Sequence, residues 1–246
     1  MKFWKRSTEE KLTICEGEHA TDHRMIRLHP LQDKFLFRKS PDTLQEFRIS
    51  QNYVKFVREF KDDRYAIDDF AYYKHEVVIM TKEGVMKRIF ENGNSKRFEI
   101  EPGKPKWLTT IDGRTFKIDV NQMLEYCLIS YNKLTQDVQE NVAYVVELAP
   151  NEVKFINKVA FDTGVEFDLI RESRFDLLSG NFPAFLLITS MSNICLIFAL
   201  HGIKIIQVGE EIDLGDNYEW SMTSEGNTFW IASGDGKVKF NVHTVK

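Results

Sequence analysis

The sequence predicts an all-β fold assembled from short antiparallel strands, and three observations carry that prediction. Brief apolar segments recur along the 246 residues, with turn-forming clusters between them roughly every 8–12 residues. The aromatic supply is rich, with nineteen Phe, eight Tyr and four Trp, and such side chains pack well on a pleated surface. Tight turns built on Gly or Asp recur between paired apolar runs.

Taken in order, the first strands are Met25–Leu28, Lys34–Arg38, Leu44–Ile49 and Tyr53–Phe60. Ala66–Tyr72, Glu76–Thr81, Val85–Phe90 and Arg97–Ile100 follow. Their boundaries include Ser40-Pro41-Asp42, Lys82-Glu83-Gly84 and Asn92-Gly93-Asn94, residues that accept turn geometry at low cost. The second half continues with Trp107–Thr110, Thr115–Val120, Val142–Leu148, Glu152–Phe161 and Glu166–Ile170. Ala184–Ser190, Ile194–Leu200, Ile203–Gln207, Thr228–Ser233 and Val238–Val242 complete the series. Ala184–Val208 is almost continuously apolar, which predicts strands buried on both faces. Asn121–Glu140 reads two ways. Met123, Cys127, Leu134 and Val138 fall at helical spacing behind an Asn121 cap, while Cys127–Lys133 also reads as a strand.

One arrangement repeats: a strand, a tight turn with Gly or Asp, and a return strand carrying a basic residue. It is clearest over Thr228–Val242, around Ser233-Gly234-Asp235-Gly236, and recurs over Trp107–Val120, Val77–Phe90 and, more loosely, Phe35–Ile49. These hairpins resemble the middle of a WD-repeat β-propeller blade. The family's closing Trp-Asp is replaced by Phe240-Asn241, Ile118-Asp119 or Ile89-Phe90, and its Gly-His pair has no counterpart. The turns near Asp42, Gly84, Gly113, Gly164, Asn193 and Gly236 lie about 29 to 51 residues apart, around the spacing of a WD blade. The resemblance implies a β-propeller of about five or six degenerate blades. Another antiparallel sandwich or barrel, or an α+β fold with a helix near 121–140, is the alternative. The domain reading is an N-terminal connector over 1–23, with Lys11–Cys15 as a strand closing the last blade, and one propeller-like domain over 24–246.

Composition narrows the function classes. With 43% apolar and 28% charged residues, the chain has the make-up of a globular protein. No apolar run approaches the roughly 20 residues of a spanning helix, so no membrane role is expected. Cys15, Cys127 and Cys195 are widely separated and odd in number, which predicts a reducing compartment, cytoplasmic or nuclear. The basic start Met1–Arg6 has no apolar segment behind it, so no secretory signal is expected.

No residue pattern identifies an enzyme. Phosphate-cradling glycine loops and a Gly-x-Ser-x-Gly elbow are missing, so no catalytic residues and no cofactor are predicted. The acid pairs Asp62-Asp63 and Asp68-Asp69 read as solvated turns. Cys15, His19 and His23 have helical metal spacing, but Gly17 and a polar setting argue against a helix, and no metal is expected.

Charge is distributed unevenly on a chain of net charge −4. Lys82–Lys117 holds nine Lys/Arg against five acids, whereas Leu134–Asn181 holds nine acids against four bases. The basic stretch also carries aromatic residues, so Lys87, Arg88, Lys104, Lys106, Trp107 and Arg114 are the candidate partner-binding residues. The function expected is a non-catalytic protein-interaction scaffold in a larger intracellular assembly, meeting partners with an acidic surface. The alternatives are an RNA- or DNA-associated component using the basic stretch, and an enzyme with an unrecognised acid or histidine site.

Overall fold

The structure is a computed structural model that describes residues 2–4, 11–13, 26–51, 53–99, 116–121, 125–134, 139–161, 170–178, 182–189, 191–214, 220–225, 228–233 and 238–242. Every regular element among the described residues is a β-strand. β1 (Lys2–Trp4) and β2 (Lys11–Thr13) pair with each other in a short antiparallel ladder. Of the segment Lys11–Cys15, expected to close the last blade, the described part Lys11–Thr13 takes its sequence neighbour β1 as its partner.

Among the described residues five larger sheets follow in chain order. Blade 1 is β3 (Ile26–Leu28), β4 (Lys34–Ser40), β5 (Thr43–Ile49) and β6 (Val54–Lys61). Blade 2 is β7 (Ile67–Tyr73), β8 (Glu76–Thr81), β9 (Val85–Ile89) and β10 (Ser95–Glu99). Blade 3 is β11 (Phe116–Val120), β12 (Tyr126–Leu134), β13 (Gln139–Glu147) and β14 (Lys154–Phe161). Blade 4 is β15 (Ile170–Leu178), β16 (Phe182–Thr189), β17 (Ile194–His201) and β18 (Lys204–Gln207), with β19 (Ile212–Asp213) pairing the other end of β17. Blade 5 is β20 (Trp220–Glu225), β21 (Thr228–Ser233) and β22 (Val238–Val242). Strands consecutive in sequence pair antiparallel within each blade, so short turns suffice to connect them.

The blades stand side by side, first strand against first strand, in chain order. β3 lies beside β7, β7 beside β11, β11 beside β15, and β15 beside β20. Side chains of the middle strands alternate between the two neighbouring blades. On β8, Val77 and Ile79 pack toward blade 1 with Leu36, Leu44 and Phe60, while Val78 and Met80 pack toward blade 3 with Ile129, Val142 and Tyr144. On β12, Cys127 and Ile129 face blade 2 and Leu128 faces Phe185 and Phe198 of blade 4. This double burial explains the continuous apolar runs, because period-two alternation puts apolar side chains on both faces. Each fully buried Leu, Ile, Val or Phe contributes about 1.5–3 kcal/mol, so the inter-blade layers supply the main stabilising term.

The same double burial overturns the helical alternative for 121–140, since β12 occupies Tyr126–Leu134. Of the hairpin read over Trp107–Val120, the described part is its return strand. Phe116–Val120 is the first strand of blade 3 and pairs with β12, while Trp107–Thr110 lies outside the described residues. β15 and β20 were not anticipated over their full lengths, because Ile170–Leu178 and Trp220–Glu225 mix polar and apolar residues without a clean period.

Candidate interaction surface

Beneath the surface, the buried charges are devoted to joining blades. Asp69 on β7 is fully buried and accepts hydrogen bonds from Arg27 Nη2 on β3, from its neighbour Phe70 N–H and from Ile118 N–H on β11, all at 2.9 Å. Asp68 accepts from Phe116 N–H. One blade further on, Asp119 Oδ2 accepts from Phe175 N–H of β15 at 2.5 Å. Acids on first strands thus bind the backbone of the next blade's first strand, a use that answers the cost of an unpaired buried N–H. Burial raises the Asp69 carboxyl against the opposing pull of Arg27 and the two backbone donors.

Asp62, in the connection between β6 and β7, joins blades 1 and 2. It receives Arg97 Nη2 at 3.0 Å and Lys87 Nζ at 3.3 Å, with the N–H groups of Arg64 and Tyr65 at 3.0 and 3.1 Å. Burial pushes its carboxyl up, but these donors outweigh burial and hold it below the usual range. Asp62, Asp68 and Asp69 are therefore buried seam residues, which corrects their reading as solvated turns.

Arg88 on β9 reaches into blade 3. Its side chain is 1% exposed and donates to Glu76 Oε2 through Nε and Nη2, at 3.0 and 2.7 Å. Nη1 donates to the carbonyl oxygens of Ala149 and Glu152, both at 2.6 Å. The guanidinium also sits over the rings of Tyr73 and Phe90.

These contacts settle two of the sequence-predicted partner residues. Lys87 and Arg88 are buried and paired inside the fold, so neither presents its cation to solvent, and their partner-binding role is corrected to a seam role. Burial was hidden from the sequence because their acid partners and carbonyls lie on other strands. Lys104, Lys106, Trp107 and Arg114 lie outside the described residues, as do Cys15, His19 and His23.

The exposed surface points to blade 1 instead. Nine large hydrophobic side chains are exposed among the described residues, and Leu28, Leu31, Tyr53, Phe56 and Val57, five of the nine, belong to blade 1. Leu31, 79% exposed, tips the β3–β4 turn, and Tyr53, 60% exposed, ends the β5–β6 turn. The two turns are tied together, since Ile49 N–H donates to the Asp33 carbonyl and Ser50 N–H to the Tyr53 carbonyl, at 2.7 and 2.9 Å. Phe56 sits edge-on to Phe47, which stacks on buried Phe35, so the outer aromatic rests on a rigid column.

Where blade 1 meets blade 2, His29 is buried between the two. Its Nδ1 accepts from Leu31 N–H at 3.1 Å, which leaves Nε2–H to donate to the Lys74 carbonyl at 2.9 Å. Burial lowers the imidazole pKa most; the Lys74 carbonyl opposes it, and Lys34 and His75 depress it further. Beside it, Tyr72 donates to Glu46 Oε1 at 3.1 Å, and Arg58 Nε donates to Glu46 Oε2 at 2.7 Å.

The comparisons agree with this geometry at the level of fold. The chain is similar to KlAtg21, solved in complex with the coiled-coil of AgAtg16, at 9% identity and a TM-score of 0.58, over 87% of this chain and 64% of that one. It is similar to Saccharomyces cerevisiae Sqt1 at 9% identity and a TM-score of 0.55, over 87% of this chain and 57% of that one. Both are β-propellers, and the fold here is an all-β, propeller-like arrangement of antiparallel blades. The chain spans less than two thirds of the length of either. No protein-family model matches the chain, and no curated protein matches it in sequence.

Proposed function

We propose that this chain is a non-catalytic interaction scaffold of the WD-repeat-like kind, a subunit of a larger cytoplasmic or nuclear assembly that holds a protein partner on blade 1. The gathering of five exposed large hydrophobics on that blade carries the reading, because such patches mark interaction surfaces. The buried acids support a non-catalytic role: Glu46, Asp62 and Asp69 each spend their oxygens on neighbouring strands and side chains. A reducing compartment is supported by the free, buried thiols of Cys127 and Cys195, the latter pushed up to about 12 by burial. The coiled-coil complex of KlAtg21 shows the same fold serving partner binding in that protein.

A photo-crosslinking residue placed at Tyr53 tests the surface, with the same residue at Lys158 of blade 3 as control. The expected result is a crosslinked protein from Tyr53 that is lost in a Leu31→Ser variant with an unchanged melting temperature. Equal crosslinking from both positions, or none from Tyr53, overturns the assignment of blade 1.

A further inference from the structure

Strand register places three cations in one row on blade 1. Lys34 on β4 is directly opposite Arg48 on β5, and Arg48 is directly opposite Lys55 on β6. Residues directly opposite point to the same face, so the three charges are stacked side by side. Arg48 and Lys55 are exposed and Lys34 half-buried. No ion pair joins any of the three to an acid among the described residues. The acid on the same face of β5, Glu46, lies two residues from Arg48 and is already taken by Arg58 and Tyr72. Like charges directly opposite are destabilising, so the row costs the free protein stability that an outside anion would return.

Blade 2 shows what the fold does with opposed cations when one of each pair is buried. There Lys87 faces Arg97 and Arg88 faces Lys96 across β9 and β10. Lys87 and Arg97 share Asp62, Arg88 holds Glu76, and Lys96 donates to the Asn151 carbonyl at 3.0 Å. Each of those cations has a partner within the protein, whereas the blade 1 row has none among the described residues.

We infer that the row Lys34–Arg48–Lys55 is the recognition site for an acidic amphipathic helix of a protein partner, a deepening that rests on the scaffold reading above. The spacing fits. Neighbouring strands are about 4.8 Å apart, so the row spans ~10 Å. A helix lying along it, across the strands, presents carboxylates one turn apart at about 5.4 Å, and two turns cover the row. Leu31 and Tyr53, at the two turns tied together beside the row, supply the apolar contact for the partner's adjoining stripe. The chain's net charge of −4 favours this occupant over a membrane or nucleic acid. An extended polyanion meets the repulsion of the whole surface, while a single helix meets mainly charges within the ~8–10 Å screening length.

The experiment uses the full chain and a fluorescently labelled helical peptide with one stripe of Glu beside one of Leu. Binding is read by anisotropy across a salt series. Lys34→Gln, Arg48→Gln and Lys55→Gln combined should weaken binding about tenfold and flatten its salt dependence. A charge-matched control, Lys82→Gln, Lys96→Gln and Lys204→Gln, should stay within about twofold of wild type, since those cations lie on other blades. The blade 1 variant should melt no lower than wild type. Equal peptide binding by both triple variants overturns the proposal, as does a lower melting temperature for the blade 1 variant, which makes the row structural. Stronger retention on phosphatidylserine vesicles or by inorganic phosphate than by the peptide overturns it too. The Tyr53 crosslink separates the two readings. A crosslink that persists undiminished in the blade 1 variant keeps the scaffold and removes the row, whereas none in wild type removes the scaffold reading.

Discussion

Blades 1 and 2 both set cations directly opposite one another across their strands, yet the two blades resolve the repulsion differently. In blade 2 the cations fall at the seams with blades 1 and 3, where Asp62, Glu76 and the carbonyl oxygens of Ala149, Asn151 and Glu152 receive them. In blade 1 the row lies near the tips of the turns, where water rather than a neighbouring blade covers Arg48 and Lys55. Lys87 and Arg88, the buried members of those pairs, must be neutralised by the protein itself, since desolvation leaves no other source of compensation. A like-charge row at the surface is screened by solvent and stays available to a partner.

The outer strands repeat the contrast. β10, Ser-Lys-Arg-Phe-Glu, is short and charged, the usual protection of a sheet edge against unwanted pairing. β6 is longer and exposes Phe56 and Val57. Its bulge at Val57, where the register with β5 shifts, blunts the edge in another way.

The largest effect is expected at Asp62. Asp62→Ala leaves buried Lys87 facing Arg97 without a counter-ion, and the expected loss is about 3–5 kcal/mol of unfolding free energy by denaturant titration. Survival of wild-type stability would show that blade 2 needs no internal acid. A smaller effect is expected from pH at the junction of the blades. The folded-state pKa of His29 lies below its ordinary 6.5, so its contribution is fully present above pH 6.5 and is lost as pH falls below that value. Protonation converts Nδ1 from acceptor to donor and ends the hydrogen bond from Leu31 N–H. His29→Gln should flatten this part of the stability–pH profile, measured by thermal melts between pH 5 and 7.5 at constant ionic strength (about 0.15 M). The smallest effect belongs to the blade 1 row: removing its three cations should raise stability by roughly 0.2–1 kcal/mol per opposed pair, the reverse of Asp62→Ala.

Much of the fold was legible in the sequence. The strands Glu76–Thr81, Thr228–Ser233 and Val238–Val242 stand where turn residues and apolar runs placed them. Turn chemistry and side-chain period are local properties, set by a few adjacent residues. The helical alternative near 121–140 arose because a strand buried on both faces loses its alternation, and Cys127 to Tyr131 then satisfies either period.

The candidate surface was much less legible. A cluster of Lys and Arg along the chain pointed to Lys87 and Arg88, but linear density does not distinguish a cation in a seam from one in water. Lys34, Arg48 and Lys55 are scattered singly and become a row only through the pairing of β4, β5 and β6. Glu76 and the carbonyls of Ala149 and Glu152, which enclose Arg88, come from two different blades.

By itself the sequence determined the strand-and-turn rhythm, the all-β class and the approximate number of blades, because backbone propensity and hydrophobic period act over a few residues. Tertiary structure alone decided which charges are spent inside and which face outward. Burial and ion pairing depend on register between strands and on the seating of one blade against the next, and those contacts join residues from about ten to more than sixty positions apart.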